Sequence, residues 1–146
     1  MPWGAALAAA AVAISNPLPA QGSAPFVVIV NAGNPVTAVT RDELTKIFLK
    51  KQSAWDNGNP IIPLDLAEET AAREAFTKAV HRRSVAAIKS YWQQQIFSGR
   101  DVPPTEESSE SDMVAAVRAN PNAVGYVSAG AAASASGVRT ISVTGS

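Results

Sequence analysis

The sequence has no cysteine and a single histidine, His81. Without cysteine there is no thiol nucleophile, no thiolate zinc site and no disulfide. Compartment stays open, because exported proteins also do without disulfides. His81 has no Ser or Cys partner suggested by spacing, so no nucleophile–base pair is visible and no catalytic residue is assigned. An excess of charge of one sign is also absent: twelve basic residues cancel twelve acidic ones. With no basic stripe to meet phosphates, nucleic acid is excluded as a partner. The carboxylates lack metal-loop spacing, since "DLAEE" (Asp65 to Glu69) has neither the glycine nor the alternation of a calcium loop. No cofactor and no metal site are expected.

What is present begins with length. A chain of 146 residues with 47% apolar content suits one domain with a real core. A domain of that size buries roughly 68–70% of the surface its unfolded chain exposes. The N-terminal run "AALAAAAVAI" (Ala5 to Ile14) is uncharged and about as long as the apolar part of a secretory leader. It is too short to span a bilayer, which takes roughly 20 residues. Pro17 and Pro19 break it, and small residues follow, so cleavage after Ala20 or Ala24 is expected. The leader would cover residues 1–24 and the domain residues 25–146. "MPWG" lacks the usual basic residues; the alternative is an apolar helix packed on the domain.

"FVVIVN" (Phe26 to Asn31) reads as a strand buried on both faces. Thr40 and Glu43 make a capping box for a helix whose buried stripe is Leu44, Ile47 and Phe48. "IIPLDL" (Ile61 to Leu66) is a second strand, with Pro63 favouring an edge or a bulge. A second helix follows over Glu69 to His81, with Ala72, Phe76 and Val80 on one face. Ser84 caps a third over Val85 to Phe97, where Val85, Ile88, Trp92 and Ile96 repeat at helical spacing. Tyr91 and Trp92 in that stripe are read as packing. Ser109 and Asp112 mark the start of a fourth helix, with Val114 and Val117 inward. "AVGYVS" and "VRTISV" are the last strands, joined by an Ala/Ser/Gly-rich linker. Helices between strands too far apart for hairpins imply crossovers and a single layered α/β/α domain. Ligands on such sheets gather beyond strand ends, near helix N-termini. Residues 31–34, 67–70 and 108–111 are the candidate segments.

"PLDLAEETAAREAF" (Pro63 to Phe76) has the layout of an anion cradle: strand, turn, helix start. Yet its turn carries Glu68 and Glu69, which repel an anion. Their plainer role is to complement the dipole in the first helical turn, worth roughly 0.3–1 kcal/mol. Arg73 could pair with Glu69 at i, i+4, worth roughly 0.2–0.5 kcal/mol. Ser109 could hold an anion or simply cap its helix, with Glu106, Glu107 and Glu110 close by in sequence.

Several stretches resemble one family. They are "NPV" (Asn34 to Val36), "LTKIFLKK" (Leu44 to Lys51), "WDNG" (Trp55 to Gly58), "REAF" (Arg73 to Phe76), "YWQQQIFSG" (Tyr91 to Gly99), Pro103–Pro104 and "ANPNAVGYV" (Ala119 to Val127). In this order they are similar to the small substrate-binding-like proteins that go with phosphate ABC transporters, themselves similar to one lobe of a type 2 periplasmic binding protein. The resemblance implies a periplasmic or secreted, non-enzymatic lobe. Its partner would be a small solute, phosphate or another anion; a membrane or secreted protein and a homodimer are the other partners open. It points to Asn34, Glu68, Glu69, Thr70, Arg73 and Ser109 as ligand-side residues. The full-length phosphate binders carry an arginine and then Asp-Gly-Ser-Gly-Thr before this helix. Here Leu64 to Thr70 reads LDLAEET, and only the threonine survives. Weak or no phosphate binding by the single chain is therefore expected. The rival expectation is an extracytoplasmic interaction or sensory accessory module that binds no solute.

Overall fold

The computed structural model describes residues 26–145. The leader expected over residues 1–24 lies outside the described residues.

Among the described residues six strands form one mixed sheet. In chain order the elements are β1 (Val27–Asn31), β2 (Ala38–Thr40), α1 (Arg41–Phe48), β3 (Ile62–Leu66), α2 (Ala71–Phe76), α3 (Val85–Phe97), β4 (Thr105–Glu107), α4 (Glu110–Ala119), β5 (Ala123–Val127), α5 (Ala129–Ala133) and β6 (Val138–Thr144). The strand order across the sheet is β2-β6-β1-β5-β3-β4. β3 runs parallel to β5 and β4, while β1 is antiparallel to both β5 and β6.

β1 and β5 sit at the centre because both are apolar on both faces. Val28, Ile29, Val30 and all five residues of β5 are buried. Successive strand residues point to opposite faces, and β5 shows what covers each. Gly125 lies under Met113 of α4. Tyr126, next in sequence, lies against Phe76 of α2 and Phe48 of α1. Helices therefore cover the two faces, as the layered α/β/α reading requires. Phe76 stacks on Tyr126 with ring centroids 3.9 Å apart, and Phe48 and Phe26 meet Phe76 edge-on. Such pairs add roughly 0.5–1.5 kcal/mol each beyond area burial.

The expected N-cap bonds form, though Glu43 accepts from Gln52 rather than reaching back to Thr40. Thr40, Ser84 and Ser109 each accept from the amide three residues on. Other details differ. β3 is not an edge strand: it lies between β5 and β4. Pro63 is tolerated because β4 begins pairing only at Leu64, so no partner on that side needs its missing N–H. The second helix starts at Ala71, with Thr70 as its cap, and becomes a π-turn over Thr77–His81. The linker before β6 contains the short helix α5, capped by Ser128. In α3 only Ile88 and Trp92 of the expected stripe are buried. Val85 is half-buried, and Ile96 and Phe97 are exposed. The edge strands β2 and β4 had no sequence signal, being three residues each.

Candidate functional site

Sheet direction decides which candidate residues meet. Because β3, β4 and β5 are parallel, their C-terminal ends lie at one rim. The turn 67–70 follows β3, the cap Ser109 follows β4, and the cap Ser128 follows β5. β1 runs the other way, with Val30 opposite Val124 near the start of β5. Asn34 therefore lies at the opposite rim, away from Glu68, Glu69, Thr70, Arg73 and Ser109. It is buried there as a turn-former: its Oδ1 accepts from the Val36 amide at 3.0 Å, and its carbonyl accepts from Arg139.

At the shared rim the central group is Arg73. Its burial is nearly complete, at 4% exposed. Nη1 donates to the Leu66 carbonyl at 2.6 Å and to Glu106 Oε2 at 3.0 Å. Nε donates to Thr77 Oγ1 at 3.3 Å and lies 3.4 Å from Asp65 Oδ1. The expected pair with Glu69 does not form; Asp65 and Glu106 take the guanidinium instead. They reach it because β3 and β4 place Asp65 and Glu106 side by side in register.

Asp65 is also buried, and Tyr126 donates its hydroxyl to Oδ1. The Leu66 amide bonds both Asp65 Oδ1 and the Tyr126 oxygen, each at 3.2 Å. Burial pushes the Asp65 carboxyl above its usual range, and the pull of Arg73 and Tyr126 does not fully cancel it. Burial likewise raises the Tyr126 phenol, helped by the neighbouring Asp65 charge. At Arg73 burial opposes the charge, but Asp65, Tyr126 and Glu106 outweigh it, so the guanidinium is held charged. The cluster thus has a firm cation and an aspartate that resists ionisation. His81, at the end of the π-turn, meets Thr45 Oγ1 through Nδ1 at 2.6 Å. Burial first, then the charges of Arg73 and Arg83, lowers its pKa from 6.5 to about 4.

Several other rim residues are engaged in the same way. Glu68 and Glu69 fall in the turn before the Thr70 cap, not in the first helical turn. Glu68 pairs with Lys89 of α3 at 3.2 Å. Thr70 accepts from the Arg73 amide and donates to the Ala67 carbonyl at 2.8 Å. Ser109 caps α4, and its neighbour Glu110 bonds the amide and hydroxyl of Ser128 at 2.6 and 3.0 Å. A carboxylate of the chain itself therefore occupies the start of α5. Beside Arg73 a cavity of about 220 Å³ remains, with Asp65, Glu106, Lys89, Trp92 and Pro104 in its wall.

As members of the Arg73 cluster, Asp65, Glu106, Tyr126 and Thr77 are not visible in the sequence pattern. One signal was available: a charge inside the apolar strand "IIPLDL" must be paired if that strand is buried. Among the described residues, no group of three or more His, Asp or Glu is placed to hold a metal ion.

Several solved structures share this fold. An ABC-type phosphate transport receptor from Vibrio cholerae superposes with a TM-score of 0.61 at 23% identity, covering 82% of this chain and 47% of the receptor. A protein from Clostridium perfringens, described as a phosphate ABC transporter substrate-binding protein with bound phosphate, gives 0.63 at 20%, covering 82% and 44%. PstS from Borrelia burgdorferi gives 0.59 at 16%, covering 84% and 48%. The chain thus spans less than half the length of these structures. A comparison with curated proteins gives no match. The family described as PBP superfamily domain matches residues 21–145, and the chain belongs to that family.

Proposed function

We propose that the chain is an extracytoplasmic, non-enzymatic solute-binding-type lobe linked to uptake of phosphate or another anion, and that alone it binds inorganic phosphate weakly or not at all. One observation carries this: Nε and Nη1 of Arg73 are already engaged by the chain's own acceptors, Leu66, Asp65, Glu106 and Thr77, two of them carboxylates. The strongest phosphate contact is a bidentate one to an uncompensated guanidinium, and here two carboxylates already neutralise the charge. Here an incoming anion would have to displace Glu106 and approach Asp65. Each like-charge pair near 4 Å costs about 1–4 kcal/mol between water-like and surface dielectrics. Since about 1.4 kcal/mol is tenfold in affinity, such losses move a micromolar site toward millimolar. The apolar run Ala5 to Ile14 followed by small residues supports export; N-terminal sequencing from the native host should find a start near Gln21 or between Ser23 and Pro25.

Calorimetry with phosphate tests the reading. Wild type should show no micromolar binding. Glu106→Gln, which releases one guanidinium partner, should gain affinity, as should Glu68→Ser with Glu69→Gly. Micromolar binding by wild type would overturn the proposal.

A second reading has its own observation. Phe97 is 94% exposed and its chain neighbour Ile96 is also exposed, both at the end of α3, and Val102 in the loop that follows is exposed too. Apolar patches of this kind mark interaction sites. On this reading the α3 face docks a secreted or membrane protein, or a second copy. Sedimentation of wild type and Phe97→Ser distinguishes these: a dimer lost in the variant identifies the second copy.

A further inference from the structure

A separate recess of about 560 Å³ opens between the turn before α2, the end of the π-turn and the start of α3. None of the groups that hold Arg73 lines it. Its wall carries three cations, Lys78, Arg82 and Arg83, against two carboxylates, Glu68 and Glu74. Glu68 is already paired with Lys89. Among the described residues none of the three cations is in an ion pair. The balance therefore favours an anion, the reverse of the carboxylate-filled rim. The charge of Arg83 reaches inward as well, since it helps keep His81 neutral.

The backbone brings these cations together. The π-turn ends at His81, and Arg82 then holds φ 56°, in the left-handed region. That conformation strains a side-chain-bearing residue, a strain glycine avoids. Lys78, Arg82 and Arg83 line the same recess, and Ser84, which caps α3, lies in its wall. No acidic residue lies in the first turn of α3.

Size narrows the ligand. The recess falls within the roughly 300–1,000 Å³ of small-molecule sites, far more than one inorganic phosphate fills. Val85 and Ala86 add an apolar wall. We propose that this recess binds a phosphomonoester or diphosphate group carried on a larger molecule, with Lys78, Arg82 and Arg83 as its charged contacts. The carrier is a free solute or a lipid, and the experiment separates them.

Calorimetry at low ionic strength uses pyrophosphate and glucose 6-phosphate; flotation uses phosphatidylcholine vesicles with and without phosphatidic acid. Saturable binding is expected in at least one arm, and the arm that responds names the carrier. Arg82→Gly should weaken it about fivefold, the loss of one charge contact at about 4 Å in water, and Arg82→Gly with Arg83→Ala by more. Arg82→Gly should not lower the denaturation midpoint, because glycine suits that turn, so lost binding cannot be blamed on unfolding. Lys46→Ala, on exposed α1 surface, should bind like wild type. Absence of binding in both arms, or binding untouched by Arg82→Gly, would overturn the proposal. Neither result bears on the strand-end rim, which Glu106→Gln reports independently.

Discussion

Replacing Arg73 with methionine tests the rim cluster most directly. Methionine keeps much of the side-chain volume and removes the charge. In the variant Asp65 keeps only the Tyr126 hydroxyl and the Leu66 amide as donors, and the Leu66 carbonyl loses its 2.6 Å partner. Breaking a buried pair by removing one member costs about 3–5 kcal/mol, because the other charge is stranded. The Glu106 contact adds little, since that side chain is 45% exposed and water can replace the guanidinium. The loss is a large share of the roughly 5–15 kcal/mol that holds a domain together. Asp65 has an escape, however. Its carboxyl already sits above the usual range through burial, and losing Arg73 pushes it further up. The penalty should therefore shrink as pH falls and Asp65 takes up a proton. Adding Asp65→Asn should recover much of the loss even at neutral pH, because a neutral amide oxygen still accepts from Tyr126. Urea titration followed by circular dichroism measures all three proteins. A cost below about 1 kcal/mol for Arg73→Met, or no recovery in the double variant, would refute the view that this cluster is a buried, self-satisfied ion pair.

Acidification should expose a second buried group. His81 titrates at 6.5 when unfolded and at about 4 when folded, so the unfolded chain binds the extra proton between those values. Stability from this group is present above pH 6.5 and is lost toward pH 4, by up to about 3 kcal/mol. Asp65 works in the opposite sense, because its raised pKa favours the folded state on protonation; the contrast between wild type and His81→Asn isolates the histidine, and equal slopes in that window would sink the assignment. Phe76→Ala and Phe48→Ala should each cost about 3–5 kcal/mol, since both rings are fully buried against Tyr126; values below about 1 kcal/mol by denaturant titration would contradict that packing. Gly125→Ala would set a new methyl 2.3 Å from Met113 Sδ, and thermal unfolding should show a loss of about 1–3 kcal/mol, softened if the thioether moves aside.

Helix caps and apolar stripes were legible because they are local. Thr40 and Ser109 announce themselves by the acidic residue three positions on, Ser84 by the apolar-periodic run that follows it, and Leu44, Ile47 and Phe48 by their spacing. Strand direction was not legible. The apolar run of β1 gives no sign that it lies antiparallel to β5, yet that reversal sends Asn34 to the far rim. The partners of Arg73 were hidden for a related reason. Glu69 is its helical neighbour at i, i+4, whereas Glu106 is 33 residues away and arrives only through the pairing of β3 with β4. The π-turn adds a residue to a pattern that reads as continuous helix, and the left-handed Arg82 has no glycine to advertise it.

The two charged regions follow from one physical constraint. A buried guanidinium must be neutralised and hydrogen-bonded, either by a ligand or by the protein. At the rim the protein supplies both functions, with Asp65 inside the sheet and Glu106 at its edge. Glu110 does the same for the amide that starts α5. Sites filled in this way are stable without solute and have little to gain from one. The surface cations of the π-turn face no such demand, because water screens them while they wait. An anion there displaces solvent rather than a carboxylate. The phosphate-bearing ligand proposed for this lobe therefore falls at Lys78, Arg82 and Arg83, while the strand-end cluster ties the sheet to α2.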